Sequence, residues 1–303
     1  MRKQALTLII LILIIVSIAI IERYNTKHQA NHTRNTSHIF KLVSLSPAIT
    51  ELVYSLQLDS NLAGVTRYCD YPPDAKTKQN IGGYYDPNLE LIAQISPRYV
   101  LVSSEHKSVA EKLHTLNIQS VTLDTSSPAK ILQSYIILGK LFGKEELANQ
   151  LVADIKKRLQ QIKDITRELP KPTVMIVIGQ GMSGNTNNKI YIVGDDSFYN
   201  PILEVAGGVN VALNIASPYP MVSPESIIHL NPDIIIELIE DDNTGVISEN
   251  IYDKWSDIAM VNAVRNKRIY QLRNDYIFIP GPRFIKIAEE FCRILHPANT
   301  ENL

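Results

Sequence analysis

One helix–turn–strand phrase is written twice in this chain, and that duplication restricts the fold more than any other feature. "NLELIAQISPRYVLV" occupies residues 88–102 and "SPESIIHLNPDIIIE" residues 223–237. In each copy a carboxylate, Glu90 or Glu225, is followed seven residues later by a proline, Pro97 or Pro232, that opens a run of aliphatic and β-branched residues. Asn88 and Ser223 are the residue types that cap helix N-termini. Each copy therefore reads as a short helix with a glutamate in its first turn, then a break, then a strand. A first-turn glutamate complements the helix dipole, worth a few tenths to about 1 kcal/mol, and that alone would account for one of them. Two exposed glutamates at matching points of two halves also describe a paired docking surface.

The surrounding pattern supplies the halves. From Phe40 onward, strand and helix signals alternate: "FKLVSLS", "LAGVTRY", "YVLVSS" and "QSVTLD" read as strands, with "PAITELVYSLQL", "NLELIAQI" and "SVAEKLHTLN" as helices between them. That βαβ rhythm predicts a parallel sheet covered by helices. Residues 127–169 break it with "PAKILQSYIILGKLFG" and a second amphipathic stretch whose apolar positions Leu147, Leu151, Ile155, Leu159 and Ile162 recur every three or four residues. Such spacing predicts one helix of roughly 25 residues, about twice the usual length, ended by Pro170 and Pro172. The rhythm then resumes through "TVMIVIG", "IYIVG", the helix "FYNPILEVAG", "ESIIHL", "DIIIEL", the helix "DKWSDI", "RIYQL" and a closing helix in "PGPRFIKIAEEFCRIL". The expected fold class is α/β, two Rossmann-like lobes joined by one long backbone helix. An N-terminal lobe spans 39–126, connecting helices 127–169, and a C-terminal lobe 170–303.

The N-terminus has a different character. After Arg2 and Lys3, residues 5–21 are seventeen residues without a charge, followed at once by the polar stretch 22–38. The run is at the short end for a membrane-spanning helix and slightly long for the apolar region of a signal peptide. The flanking positive charge places the N-terminus in the cytoplasm and the rest outside. Ser17 and Ala19 suit a signal peptidase, but the apolar run continues through Ile20 and Ile21, which favours an uncleaved anchor over secretion to the periplasm. Residues 22–38 read as a polar stalk. No cysteine lies near this segment for lipid attachment; Cys69 and Cys292 are the only two, so there is no disulfide framework. A formal net charge of −1 argues against a nucleic-acid partner.

Three kinds of chemistry find no support. "GQGMSG", Gly179 to Gly184, follows a strand, yet "NTNNKIYIV" comes next, where a dinucleotide site needs a helix to open. No G-x-S-x-G elbow exists around which a serine hydrolase would be built. Of the seven histidines, His28, His32, His38, His106, His114, His229 and His296, only His28 and His32 stand at i, i+4, and both fall in the non-periodic polar stretch 22–38, so a zinc cage is not expected, and His106 and His114 are expected on the solvated surface. The chain is read as non-enzymatic.

Tyrosine outnumbers phenylalanine 14 to 6. Tyr68 and Tyr71, Tyr84 and Tyr85, Tyr219 and Tyr276 all fall in loops at strand ends. A phenol needs a hydrogen-bond partner when buried, so tyrosines in such places suit the wall of a cleft.

"LVSLSPAITELVYSL", "GVTRYCDYPPDA", "NIGGYYDPNLELIAQISPRYVLV", "LEVAGGVNVA", "VSPESIIHLNPDIII" and "GPR" before a helix together resemble the substrate-binding proteins of iron-complex and cobalamin ABC importers, in order from about residue 41 to 297. The tyrosine followed by "CDYPP" is most similar to the cobalamin-binding members. The resemblance implies a stiff two-lobed clamp holding a metal chelate, with Glu90 and Glu225 docking on the two permease subunits. It places Tyr68 and Tyr84, with Tyr85 and Tyr276, along the ligand cleft; Tyr84 stands where cobalamin binders have a tryptophan, and Tyr276 aligns with a second. Trp255 is the only tryptophan present, so a ferric siderophore or haem remains an alternative ligand. Arg67 and Arg283 are candidates to pair with carboxylates or phosphate on it, with a structural cap as the alternative role for Arg283. No resident cofactor is implied. A sensor or accessory ectodomain that kept the fold without transport is the alternative of another class.

Overall fold

The computed structural model describes residues 40–180, 190–239 and 251–300. The apolar segment 5–21, the stalk 22–38 and most of the Gly179–Gly184 motif lie outside the described residues. Among the described residues no helix is long and apolar enough to cross a membrane.

Two sheets carry the fold. The first, β1 (Leu42–Ser44), β2 (Leu62–Val65), β3 (Gln79–Asn80), β4 (Tyr99–Ser103) and β5 (Ser120–Leu123), is all parallel, in the order β3-β2-β1-β4-β5. Helices α1 (Pro47–Ser55), α2 (Leu89–Ile95) and α3 (Lys107–Thr115) connect these strands. Being covered on both faces, the strands are continuous apolar runs; Val43, Val100 and Val102 are fully buried with Ile81 and Ile92.

The second sheet contains β6 (Thr173–Gln180), β7 (Ile190–Ile192), β8 (Val209–Asn210), β9 (Met221–Val222), β10 (Ile234–Leu238) and β11 (Ile269–Leu272). Its order is β11-β10-β6-β7-β9, with β8 beside β6. β7 runs antiparallel to both β6 and β9, so β9 again points the same way as β10. Trp255 fills this core, and its indole N–H donates to the buried Glu237 carboxylate at 2.9 Å, which also accepts from Lys254 and Gln271. A buried indole keeps a polar partner in this way. The "DKWSDI" segment is accordingly not one helix. It forms α8 (Ile251–Lys254) and a 3-10 turn at Ser256–Ile258, followed by α9 (Asn262–Arg265), which sequence periodicity did not reveal.

Between the sheets run α4 (Pro128–Phe142) and α5 (Glu145–Thr166). The latter has 22 residues and is about 33 Å long at 1.5 Å per residue. Its deepest face is one position round from the expected stripe: Ala148, Val152, Ile155 and Ile162 are buried, while Leu147, Leu151 and Leu159 are half-buried. The cause is the helix crossing. A Cβ at Gly139 of α4 would stand 2.6 Å from the Ala148 Cβ, so two small residues let α4 and α5 approach closely there. α5 is tied in turn to α10 (Phe284–Leu295) by Arg158, whose Nε donates to Glu289 at 2.9 Å.

The repeated phrase occupies the same place twice. α2 and α7 (Pro224–Leu230) each have seven residues. Asn88 Oδ1 accepts from the Leu91 N–H at 2.9 Å, and Ser223 Oγ from the Ser226 N–H at 3.4 Å. Both helices end in a left-handed residue, Ser96 (φ 52°) or Asn231 (φ 42°), just before the proline, a stop that frees the chain to turn into the strand. β3–α2–β4 and β9–α7–β10 each cross over two intervening strands, β2 and β1 in one sheet and β7 and β6 in the other. The two copies differ in one insertion: residues 81–88 separate β3 from α2, whereas Ser223 alone separates β9 from α7.

Asp233, which begins the second copy's strand, accepts from the Thr173 N–H at 3.0 Å, the Thr173 hydroxyl at 2.8 Å and the Asn262 amide at 3.2 Å. Burial opposes its charge, but these hydrogen bonds outweigh burial and hold its pKa below the usual range. Its contribution is present above the unfolded carboxylate pKa, about 3.9, and is lost as pH falls through the lower folded value. Asp233→Asn is expected to lower stability by about 1–2 kcal/mol at pH 7 and to flatten the acid limb of the stability profile below about pH 4, measured by urea unfolding across pH.

Candidate functional site

In an open parallel sheet the crevice outside the carboxyl ends of the strands, where the strand order reverses, is the ligand site. Here the reversal lies between β1 and β4. A cavity of about 380 Å³ opens at that edge. Ser46, Pro47 and Ala48 come from the β1–α1 turn, Ser103, Ser104 and Glu105 from the end of β4, and Thr125 and Ser126 from the residues after β5. Tyr68, Tyr84 and Tyr85 line it as well, together with Phe278, Ile279 and Pro280 from the segment between β11 and α10. A hollow of about 500 Å³ lined by Pro170, Pro172, Asp233, Arg268 and His296 lies at the opposite, amino-terminal edge of the second sheet, because Pro172, Asp233 and Arg268 each immediately precede a strand. It is not where this fold places a ligand.

The 81–88 insertion builds the tyrosine wall. Gly82 has φ 105°, and a Cβ on Gly83 would collide with the Asp86 carboxylate, so the paired glycines let the loop fold tightly back. It closes through Asn88 N–H to Ile81 O at 2.7 Å and Arg67 N–H to Gly82 O at 2.9 Å. Tyr84 is thereby half-buried, its ring 4.3 Å from the His106 ring, and its hydroxyl donates to Glu105 Oε2 at 3.2 Å. Burial, with the Glu105 charge, pushes the Tyr84 phenol up to about 12. Tyr85, 77% exposed, and Tyr68, 54% exposed, present open rings to the cleft. Tyr68 is held from below by Cys69, whose sulfur meets the Thr50 and Thr66 hydroxyls at 3.2 Å. Cys69 and Cys292 are both free and buried.

His106 is not on the solvated surface as expected. It is buried, its Nδ1 accepts the Ser103 N–H at 3.1 Å, and burial lowers its pKa. It backs the tyrosine wall as a neutral ring.

Two expected ligand contacts are also displaced. Arg283 is 8% exposed and absent from the cavity wall. Its Nε and Nη2 donate to the two oxygens of Glu51 at 3.0 and 2.7 Å, its Nη1 donates to Asp275 at 2.6 Å, and its guanidinium lies 3.8 Å from the Tyr71 ring centroid. Every face of the group is engaged inside the protein, joining α1 to the entrance of α10. Tyr276, 9% exposed, packs beside Arg283 and Lys286 rather than lining the cavity. Phe278, two residues on and 40% exposed, takes the wall position. Arg67 stands at the rim, 5.7 Å from the Tyr68 ring centroid and 3.4 Å from Asp86.

Glu105 and Phe278 escaped the reading of the sequence. The available signal for Glu105 was its place directly after the strand "YVLVS", where the crevice rule points. Tyr219 carries a raised pKa, through burial and the charge of Glu105. Glu90 and Glu225 are both exposed in the first turns of α2 and α7.

The carboxyl ends of β1, β4 and β5 and the segment between β11 and α10 meet at one cavity, the place where an open parallel sheet holds a small molecule. The periplasmic binding protein family model matches residues 42–276. The chain belongs to that family: it is an extracytoplasmic solute-binding protein that works with an ABC importer, and not an enzyme. It is 29% identical over 262 residues to the ABC transporter substrate-binding lipoprotein YvrC of Bacillus subtilis, covering 85% of this chain and 80% of that protein. It is 24% identical to the vitamin B12-binding protein of Photorhabdus laumondii, over 84% of this chain and 88% of that one. The crystal structure of a periplasmic haem-binding protein of Vibrio cholerae superposes with a TM-score of 0.72 at 19% identity, covering 86% of this chain and all of that one.

Truncating Arg283 to Met would leave Glu51 buried without a partner, and the expected cost is about 3–5 kcal/mol. The Glu51→Gln, Arg283→Met double variant should be clearly more stable than the sum of its singles implies, read by urea unfolding as a double-mutant cycle.

Proposed function

We propose that the cleft takes a flat, ring-shaped metal chelate of the corrinoid class and that the protein hands it to its importer through Glu90 and Glu225. The observation that carries the first part is the cavity wall. Tyr68, Tyr84, Tyr85 and Phe278 line one cavity together with serine and threonine hydroxyls, the surface that suits a broad planar ligand edged with polar groups. The relative named for vitamin B12 binding supports the same ligand class. A ferric siderophore or haem is the second reading, supported by the phenols among these aromatics and by the fold shared with a haem-binding protein.

The docking assignment is supported by placement. Glu90 and Glu225 are exposed, each in the first turn of a helix that occupies the equivalent crossover of its sheet. A pseudo-twofold protein can in this way address a twofold transporter with one carboxylate per half. Residues 5–21 serve in this reading as the membrane anchor and 22–38 as the tether.

Titration of the full chain with cyanocobalamin, haem and ferric siderophores, followed by tyrosine fluorescence and visible absorbance, tests the ligand class; binding to none of them would defeat it. Tyr84→Ala and Phe278→Ala are each expected to weaken binding of the preferred chelate by about tenfold or more.

Charge reversal at both glutamates is expected to abolish uptake in cells while ligand affinity stays within about twofold. An equal fall in affinity would instead make them cleft residues.

A further inference from the structure

We propose that Glu105 is a charge filter: its carboxylate admits chelates that are neutral or cationic and carry amide or amine N–H donors at the rim, and it turns away chelates that present carboxylates. This rests on the reading of the cleft as a chelate site, and extends it to the chemistry of the ligand's edge.

The filter follows from which charges face the cavity. Glu105 is the charged residue among those lining it. It is exposed, its backbone N–H meets the Ser103 hydroxyl at 3.4 Å, and its Oε2 accepts from Tyr84 at 3.2 Å. Tyr84 is a neutral donor that brings no cation to the carboxylate and uses only one of its acceptor sites. Among the described residues no lysine or arginine forms an ion pair with it.

The nearby arginines do not offset that charge. Arg283 is enclosed by Glu51 and Asp275, and Arg67 is matched at the rim by Asp86. The other polar lining groups are hydroxyls of Ser46, Ser103, Ser104, Thr125 and Ser126 and the phenols. A corrin edge of amides would find acceptors here. A propionate would meet a like charge with no lysine or arginine among the described residues that line the cavity, and discrimination by such repulsion is on the order of tenfold at about 5 Å in a partly solvated cleft.

Matched ligands that differ only in charge provide the test. The full chain is titrated with cyanocobalamin and with each of its monocarboxylic acids, in which one propionamide has become a propionate, and with haemin and its dimethyl ester in the same detergent. Wild type should bind cyanocobalamin about tenfold tighter than at least one of the acids. Glu105→Gln should bring that ratio within about twofold of unity, while Glu111→Gln, an exposed carboxylate on α3, should leave it at the wild-type value. Equal affinity for amide and every acid in wild type, or a preference that persists in Glu105→Gln, overturns the filter and leaves the corrinoid reading standing. If no corrinoid binds, that reading falls and the haemin pair decides the filter: tighter binding of the ester, lost in Glu105→Gln, upholds it, and haemin binding as well as its ester overturns it. Absence of binding by all of them overturns both.

Discussion

The Arg283 guanidinium is the point on which the arrangement of the halves turns. It is contributed by the residue that precedes α10 and it reaches Glu51 on α1, 232 positions away in the chain, with both of that carboxylate's oxygens engaged. Burying an ion pair carries a desolvation cost, so the pair is weak evidence for net stability. What it does fix is position. Pro47 and Ala48 open the same α1 helix and line the cavity floor, while Phe278–Pro280 belong to the segment that leads into Arg283. One ionic contact thus holds two walls of the cleft against each other. Tyr199 reinforces the same segment from the second half, donating its hydroxyl to the Ile277 carbonyl at 2.8 Å.

That contact also explains why residue types alone left Arg283 open between a ligand contact and a structural cap. An arginine after a glycine–proline turn, near loop tyrosines, has the composition of an anion-binding group. Its partner Glu51 lies inside a helix with no local mark of being buried and paired. Tyr276 and Phe278 were confused for a related reason. They stand two apart in "DYIFIP", and in an irregular segment there is no strand or helix period to decide which ring faces inward. Where a period exists, the sequence was sufficient: the alternating strands, the long α5 and both copies of the repeat lie where the pattern puts them. The one-residue rotation of the α5 stripe came from Gly139 against Ala148, a contact between two helices that neither helix records alone. The two-residue strands β3, β8 and β9 are too short to carry an alternation at all.

The insertion between β3 and α2 separates the halves functionally. Two crossovers of the same topology would give a symmetrical cleft with equivalent walls. Adding residues 81–88 to one of them supplies Tyr84 and Tyr85 from that copy only, while Phe278 comes to the cavity from an unrelated segment. His106 is the buried support of this asymmetry. Its ring packs under Tyr84, and a neutral imidazole is what burial favours there. Pseudo-symmetry is thus retained where the repeat faces outward and abandoned where the ligand is held.

A clamp whose walls are pinned in this way starts close to its binding geometry, which reduces the ordering cost of capture. The connectivity then matters. Glu90 stands two residues beyond Asn88, whose N–H closes the tyrosine loop on Ile81 at 2.7 Å and whose side chain caps α2. A partner that engages Glu90 acts on the end of the loop carrying Tyr84 and Tyr85. Glu225 has no such loop beside it, and a pull there is taken up by α7 and the β10 core behind it. The two glutamates are thus equivalent in topology and unequal in surroundings: α2 opens at the end of the tyrosine-bearing loop, whereas α7 follows β9 after a single residue.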